Sequence, residues 1–217
     1  MSVPRHRSRA ALFAALKRDI ENAYPDIRVV VEHGTIIAAG SFPIADGDGI
    51  LDRFLIELQF PDDYPDSVPI LREIGGRIPW HEDRHTNRDG VACPIVPEEW
   101  LVRPDRDSIV QFLEGPVRNF FVGQILAEQG RAWPFGEREH GKRGLVQSYG
   151  ELVGTADEAA LVRYLDCLSH DRLKGHWDCP CGSKKRLRNC HFEVLTTLHQ
   201  KLPPWIAKRA LNRLATA

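Results

Sequence analysis

The sequence predicts a mixed α+β domain followed by a helical C-terminal appendage. Three observations carry this reading. Residues 8–24 hold one apolar stripe at helical spacing, Leu12, Ala15, Leu16, Ile20 and Ala23. Residues 53–60 alternate instead: Phe54, Ile56, Leu58 and Phe60 face one way, Arg53, Glu57 and Gln59 the other, as in a half-buried antiparallel strand. Beyond Thr155 the periodic segments are all helical, interrupted by one run rich in cysteine. A helix that leads into an antiparallel meander defines an α+β domain. The expected division is 1–150 for that domain and 151–217 for the appendage.

In order, Ser8 caps the first helix, which Pro25 stops after about Tyr24. Arg28–Ala39 is rich in Val and Ile and reads as a strand, or as a tight pair of strands turning at His33-Gly34. Ala45–Gly49 is a turn, and 53–60 and 68–74 are the next strands. Gly75-Gly76 opens a long irregular segment. Asp107 or Ser108 then caps a helix with Ile109, Phe112 and Leu113 inward. Gly115-Pro116 is expected to break it, with Pro116 restarting it at a first helical position and Val117, Phe120, Phe121 and Ile125 continuing the stripe. Thr155-Ala156-Asp157-Glu158 reads as a capping box, before a helix with Leu161, Tyr164, Leu165 and Leu168 on one face. Phe192–Lys201 and Pro204–Leu214 read as the last two helices, the second with Ile206, Ala210 and Leu214 in line.

Composition narrows the classes of function. The 217 residues carry 29 Lys and Arg against 30 Asp and Glu, a net charge of −1, so nothing pulls the whole chain toward nucleic acid or a membrane. Five cysteines, an odd number, argue against a complete disulfide framework and for a reducing compartment. No run is long enough to span a bilayer. The start, MSVPRHRSRA, is basic but lacks the apolar segment of a secretion signal, so the cytoplasm is the expected location.

The segment from Phe60 to Trp100 is the most informative. It holds Phe60-Pro61, Tyr64-Pro65, Pro69, Trp80, His81, His85, Asn87, Gly90, Cys93 and Trp100. That many anchors point away from disorder, and long irregular stretches inside compact domains are usually functional when ordered. A cysteine after a glycine-led turn, with histidines and an asparagine upstream, suits a nucleophile. The same cysteine also suits a small packed hydrophobe.

The order of these landmarks resembles the ubiquitin-conjugating enzymes, and the Asn-x-Asp-Gly-x-x-Cys spacing of 87–93 looks like their bacterial relatives. His85-Thr86-Asn87 departs from the family's His-Pro-Asn by lacking the proline. The resemblance implies the fold of that family: an N-terminal helix, an antiparallel meander, an active-site loop and C-terminal helices. It implies that Cys93 carries a ubiquitin-like modifier as a thioester, received from an activating enzyme and passed to an amine of a target protein. Asn87 would steady the oxyanion or the loop, and His85 would act beside it. It implies further that such proteins sit in modifier operons, some of them in anti-phage defence.

Residues 133–144, WPFGEREHGKRG, are polar and without period, and read either as a solvated loop or as a segment folding back beside Cys93. A Trp-Pro-x-Gly-Glu-Arg…His-Gly segment again looks like bacterial members, which makes His140 a candidate for positioning or proton transfer.

Residues 179–191 read CPCGSKKRLRNCH. Three thiolates and an imidazole, Cys179, Cys181, Cys190 and His191, fit the tetrahedral preference of Zn²⁺. Gly182-Ser183 lets the backbone turn its amides toward the thiolates. The pattern resembles the SEC-C motif, a small zinc-binding appendage, here spanning about 176–193. Four protein ligands leave no open position, so this zinc is expected to be structural. Lys184, Lys185, Arg186 and Arg188 form a solvated face or one that meets an acidic partner or phosphates.

The leading expectation is thus a thioester-forming transferase. A non-catalytic modifier-binding module, a zinc adaptor for protein or nucleic acid, and a hydrolase pairing Cys93 with His85 or His140 remain the alternatives.

Overall fold

The computed structural model describes residues 8–79, 81, 84–134 and 141–216. The chain divides into two compact units: the described residues of Met1–Ile95 with Asp105–Gly136, and those of Val96–Pro104 with Glu137–Ala217.

The first unit is α+β. Helix α1 (Arg9–Ala23) starts at Ser8, whose hydroxyl accepts from the Ala11 amide at 3.2 Å. A five-stranded antiparallel sheet follows in sequence order: β1 (Ile27–Glu32), β2 (Thr35–Asp46), β3 (Gly49–Phe60), β4 (Ile70–Glu73) and β5 (Val91–Ala92). The His33-Gly34 turn makes 28–39 a pair of strands, with both turn residues at positive φ (48° and 81°), as a two-residue hairpin requires. At Gly40, φ is 151° and an added Cβ would stand 2.1 Å from the Asp26 carbonyl oxygen, so β2 pairs beside the start of β1, with Gly40 opposite Ile27, only without a side chain. The Tyr64-Pro65 peptide is cis.

The alternation in β3 holds: Phe54, Ile56, Leu58 and Phe60 are buried. Phe54 meets helix α4 (Arg118–Glu128), which follows α3 (Ile109–Phe112) in the chain, through Phe121, whose ring stacks on Phe54 at 4.4 Å and lies 5.9 Å from Phe42 of β2. Ser108 caps α3. The expected break at Gly115-Pro116 does not occur. Leu113–Val117 forms a π turn that joins α3 to α4. A widened turn absorbs the amide that Pro116 lacks, and burial of Leu113, Pro116 and Val117 holds it in place.

Two features of the 75–107 segment carry no periodicity and were not expected from sequence: the two-residue β5 and helix α2 (Pro97–Leu101), which has proline at its start. The beginning of the segment is held by Arg77. Its guanidinium pairs with both carboxylate oxygens of Asp52 (2.8 and 2.7 Å) and both of Glu128 (3.0 and 2.7 Å), and lies 4.4 Å over the Phe54 ring. The pairing holds the Asp52 carboxyl below the usual range.

The second unit contains α2, α5 (Gly141–Val153), α6 (Glu158–Leu168), α7 (Phe192–Lys201) and α8 (Pro204–Thr216). Its core joins Leu101, Leu145, Tyr149, Leu161, Leu165, Leu187, Leu195, Ile206 and Ala210. The division expected at 150 therefore falls inside a helix of this unit, because Leu145, Tyr149 and Val153 bury with the appendage. The stretch expected to be loop up to 144 becomes helical at Gly141. Thr155 is not the cap of α6. Asp157 is, accepting from Ala160 at 2.8 Å, while the Thr155 hydroxyl accepts from the Asp157 amide. Among the described residues no helix is long and apolar enough to cross a membrane.

Candidate functional site

Residues 85–93 close on themselves. The Asn87 amide donates to the Val91 carbonyl (2.8 Å), Gly90 to Asn87 (3.0 Å), and Cys93 to His85 (2.9 Å). Thr86 and Ala92 form an isolated antiparallel bridge. Gly90 takes φ 77°, the left-handed turn conformation that suits glycine. On its other side β5 pairs with β4, Leu71 to Ala92 and Arg72 to Val91. The loop is thus an extension of the sheet, and Cys93 leaves it at the end of β5 with an exposed side chain.

The surroundings of the thiol act in opposite directions. Although Cys93 is exposed, the enclosing loop desolvates its sulfur, which raises its pKa above the ordinary thiol value. The Asn87 side chain hydrogen-bonds the sulfur and lowers it, and the charge of Asp89 raises it. The Asp89 carboxylate also accepts from the Val91 amide at 3.2 Å. Asn87 is therefore brought to the thiol.

His85 reaches Cys93 through its backbone carbonyl. Its ring lies against Trp133, with centroids 4.3 Å apart. His85 has φ 51°, a conformation that costs about 1–2 kcal/mol for a residue with a Cβ, so its surroundings must hold it there. His140 lies outside the described residues. Trp133, from the aperiodic stretch, does fold back against the loop.

Sequence reasoning missed three residues that brace this loop: Arg84, Gln124 and Gly123. Gln124 sits on the buried face of α4 with 0% of its surface exposed, and its carboxamide exchanges two hydrogen bonds with Arg84. An uncompensated glutamine beside Phe120 and Phe121 was the available signal, since a polar group in an apolar stripe needs a partner.

The second unit gathers the other set. Cys179, Cys181, Cys190 and His191 bring one donor atom each within 4.8 Å of one another. Their contacts are Cys179 Sγ to His191 Nδ1, 3.1 Å; Cys190 Sγ to His191 Nδ1, 3.1 Å; Cys181 Sγ to Cys179 Sγ, 3.3 Å; and Cys181 Sγ to Cys190 Sγ, 3.7 Å. A tetrahedron of thiolates at about 2.3 Å from a central ion has edges of about 3.7 Å, so this set could hold a metal ion and is compatible with zinc. Gly182 (φ 79°) turns the chain between the first two cysteines and the basic run. Hydrogen bonds from Ser183 draw the Cys181 thiol down to about 6, toward the thiolate that a metal requires.

This turn is seated on α6. Arg163 Nε donates to the Pro180 carbonyl (2.9 Å), and the Tyr164 ring meets His191 edge-on at 6.3 Å. Cys179 and Leu187 are buried in the core of the unit. Of the basic run, Arg186 pairs with Asp178 at 2.9 Å, whereas Lys184 and Lys185 are exposed.

No protein-family model, curated protein or solved structure matches the chain. The geometry describes a two-unit protein: an α+β unit presenting an exposed cysteine on a braced loop, and a helical unit containing a Cys₃His cluster able to hold a metal.

Proposed function

We propose that the protein is a ubiquitin-conjugating-like transferase that carries a ubiquitin-like modifier as a thioester on Cys93. The observation that carries this reading is the thiol itself: exposed, hydrogen-bonded by Asn87, and fixed at the end of a strand by the Cys93–His85 backbone bond. The antiparallel meander entered from an N-terminal helix agrees with the fold expected for such enzymes.

In the first step the Cys93 thiolate attacks the thioester carbonyl of a modifier held on an activating enzyme. A new carbon–sulfur bond forms, and the activating enzyme's sulfur leaves as thiolate. In the second step an amine of the target attacks the Cys93 thioester. The carbon–nitrogen bond forms, the Cys93 sulfur leaves, and the ammonium proton passes to solvent or a base. The Cys93 amide is already given to His85, so the side chain of Asn87 supplies a donor for the oxyanion. In the second unit, Cys179, Cys181, Cys190 and His191 would hold a zinc ion, which would contribute folding free energy and no reaction step. The partners are accordingly a ubiquitin-like protein, its activating enzyme and a target protein.

The test is to incubate the protein with activating enzyme, modifier and ATP. A reductant-sensitive adduct one modifier in mass is expected, absent from Cys93→Ala. An adduct that persists in Cys93→Ala would overturn the assignment.

A further inference from the structure

We infer that Gln124 is a positioning residue for Cys93, acting through the Arg84–His85 peptide. Gln124 Oε1 accepts from Arg84 Nε at 2.7 Å, and Gln124 Nε2 donates to the Arg84 carbonyl at 2.7 Å. Guanidinium only donates and a carbonyl only accepts, so the carboxamide has a single workable orientation. The Arg84 carbonyl belongs to the same peptide plane as the His85 amide. The carbonyl at the other end of His85 accepts from Cys93. One residue, held at φ 51°, therefore separates the plane that Gln124 fixes from the plane that fixes Cys93.

The preceding helix position grips the same residue from its side chain. Trp133 lies on Gly123 so closely that an added Cβ would meet its ring at 2.4 Å, and the same ring has its centroid 4.3 Å from that of the His85 ring. Consecutive residues of α4 thus restrain the backbone and the ring of His85. An unfavourable left-handed conformation persists only where its surroundings over-determine it, and this is such a place. A carboxamide needed only to satisfy a buried arginine side chain would have no reason to take a main-chain carbonyl of the active loop as well.

This inference rests on the thioester reading for its catalytic arm and on the structure alone for its positioning arm. Gln124→Glu preserves the bond from Arg84 Nε and removes the donation to the Arg84 carbonyl. In the 217-residue chain, hydrogen exchange at the Cys93 amide should quicken by about tenfold or more, while amides of β2, β3 and α4 keep wild-type protection. In preloaded protein, kcat for aminolysis by free lysine should fall about tenfold to a hundredfold with little change in KM, as expected when a reacting group is displaced. Gln124→Met, which removes the same donation without adding a charge, should move the Cys93 amide in the same direction, and it decides the matter if Gln124→Glu fails to fold. Wild-type exchange at the Cys93 amide in whichever folded variant is available overturns the inference. Failure of the wild-type protein to load any modifier counts against the thioester reading instead, because the exchange experiment needs no modifier.

Discussion

The main-chain amide of Cys93 donates to the carbonyl of His85 at 2.9 Å, so the candidate nucleophile arrives with its own amide already spent. In many acyl-transfer sites that amide would serve the oxyanion. On the proposed reading the duty passes to a side chain, and Asn87 is the one that hydrogen-bonds the sulfur. Asn87→Ala should slow discharge of a preloaded thioester to free lysine by about a hundredfold, the usual cost of one oxyanion donor, and slow loading less. Single-turnover discharge measures it, and wild-type discharge would remove Asn87 from the mechanism.

The pH dependence of the thiol follows from its neighbours. Desolvation and Asp89 hold the Cys93 pKa above the ordinary thiol value, and Asn87 pulls it down. Thiolate is the reactive form, so alkylation of Cys93 should rise with pH and level off above the range of a free cysteine. Removing the anion in Asp89→Asn should move that midpoint to lower pH, and removing the hydrogen bond in Asn87→Ala should move it to higher pH. Peptide-level mass spectrometry of iodoacetamide labelling reads both. Shifts of the same sign in the two variants would contradict this account of the thiol.

The sheet depends on the close approach of β2 to the start of β1, where Gly40 stands opposite Ile27. Gly40→Ala places a Cβ 2.1 Å from the Asp26 carbonyl oxygen, a main-chain atom that cannot swing away. Backbone strain of this kind typically costs about 1–3 kcal/mol, and the clash adds to it. Denaturant unfolding of the first unit should show at least that loss, and a stability equal to wild type would mean that β1 and β2 approach less closely at Gly40 than described.

The Cys₃His cluster and the helical core share Cys179. Leu187 lies between the ligand pairs and is wholly buried among the helices of the second unit. Leu187→Ala should therefore destabilise α6 to α8 by about 2–5 kcal/mol, as for other buried leucines. Removing the metal with a chelator, or removing a ligand in Cys190→Ala, should likewise raise hydrogen exchange across α6, α7 and α8. Protection in β1 to β4 should remain, because those strands have their own core. Full protection of α6 after metal loss would mean that the cluster folds as an isolated knuckle.

Much of this architecture was legible in the residues. Alternation placed β3, Ser8 and Ser108 marked helix starts, and the proline at position 204 with Ile206, Ala210 and Leu214 in line marked α8. The gathering of Cys179, Cys181, Cys190 and His191 could be read from their donor chemistry. What escaped has physical reasons. Two residues of β5 and five of α2 are too few to show a period. Pro116 read as a break because its missing amide cannot reveal that a π turn will accommodate it. Thr155 and Asp157 both cap well, and only packing chooses between them. Gln124 and Arg84 lie 40 positions apart, and their pairing is a product of the tertiary fold. The boundary expected at 150 falls inside α5 because the burial of Leu145, Tyr149 and Val153 with the appendage is a product of tertiary packing.

The most direct test of the central claim is the chemistry of the bond at position 93. Wild-type protein, Cys93→Ser and Cys93→Ala are each incubated with activating enzyme, modifier and ATP, and the products are resolved by intact mass. The account predicts an adduct on the wild type that reductant removes. It predicts one on Cys93→Ser that resists reductant and yields to alkali, as an oxyester does, and none on Cys93→Ala. A reductant-resistant adduct on the wild type, or equal adducts on all three, would contradict it.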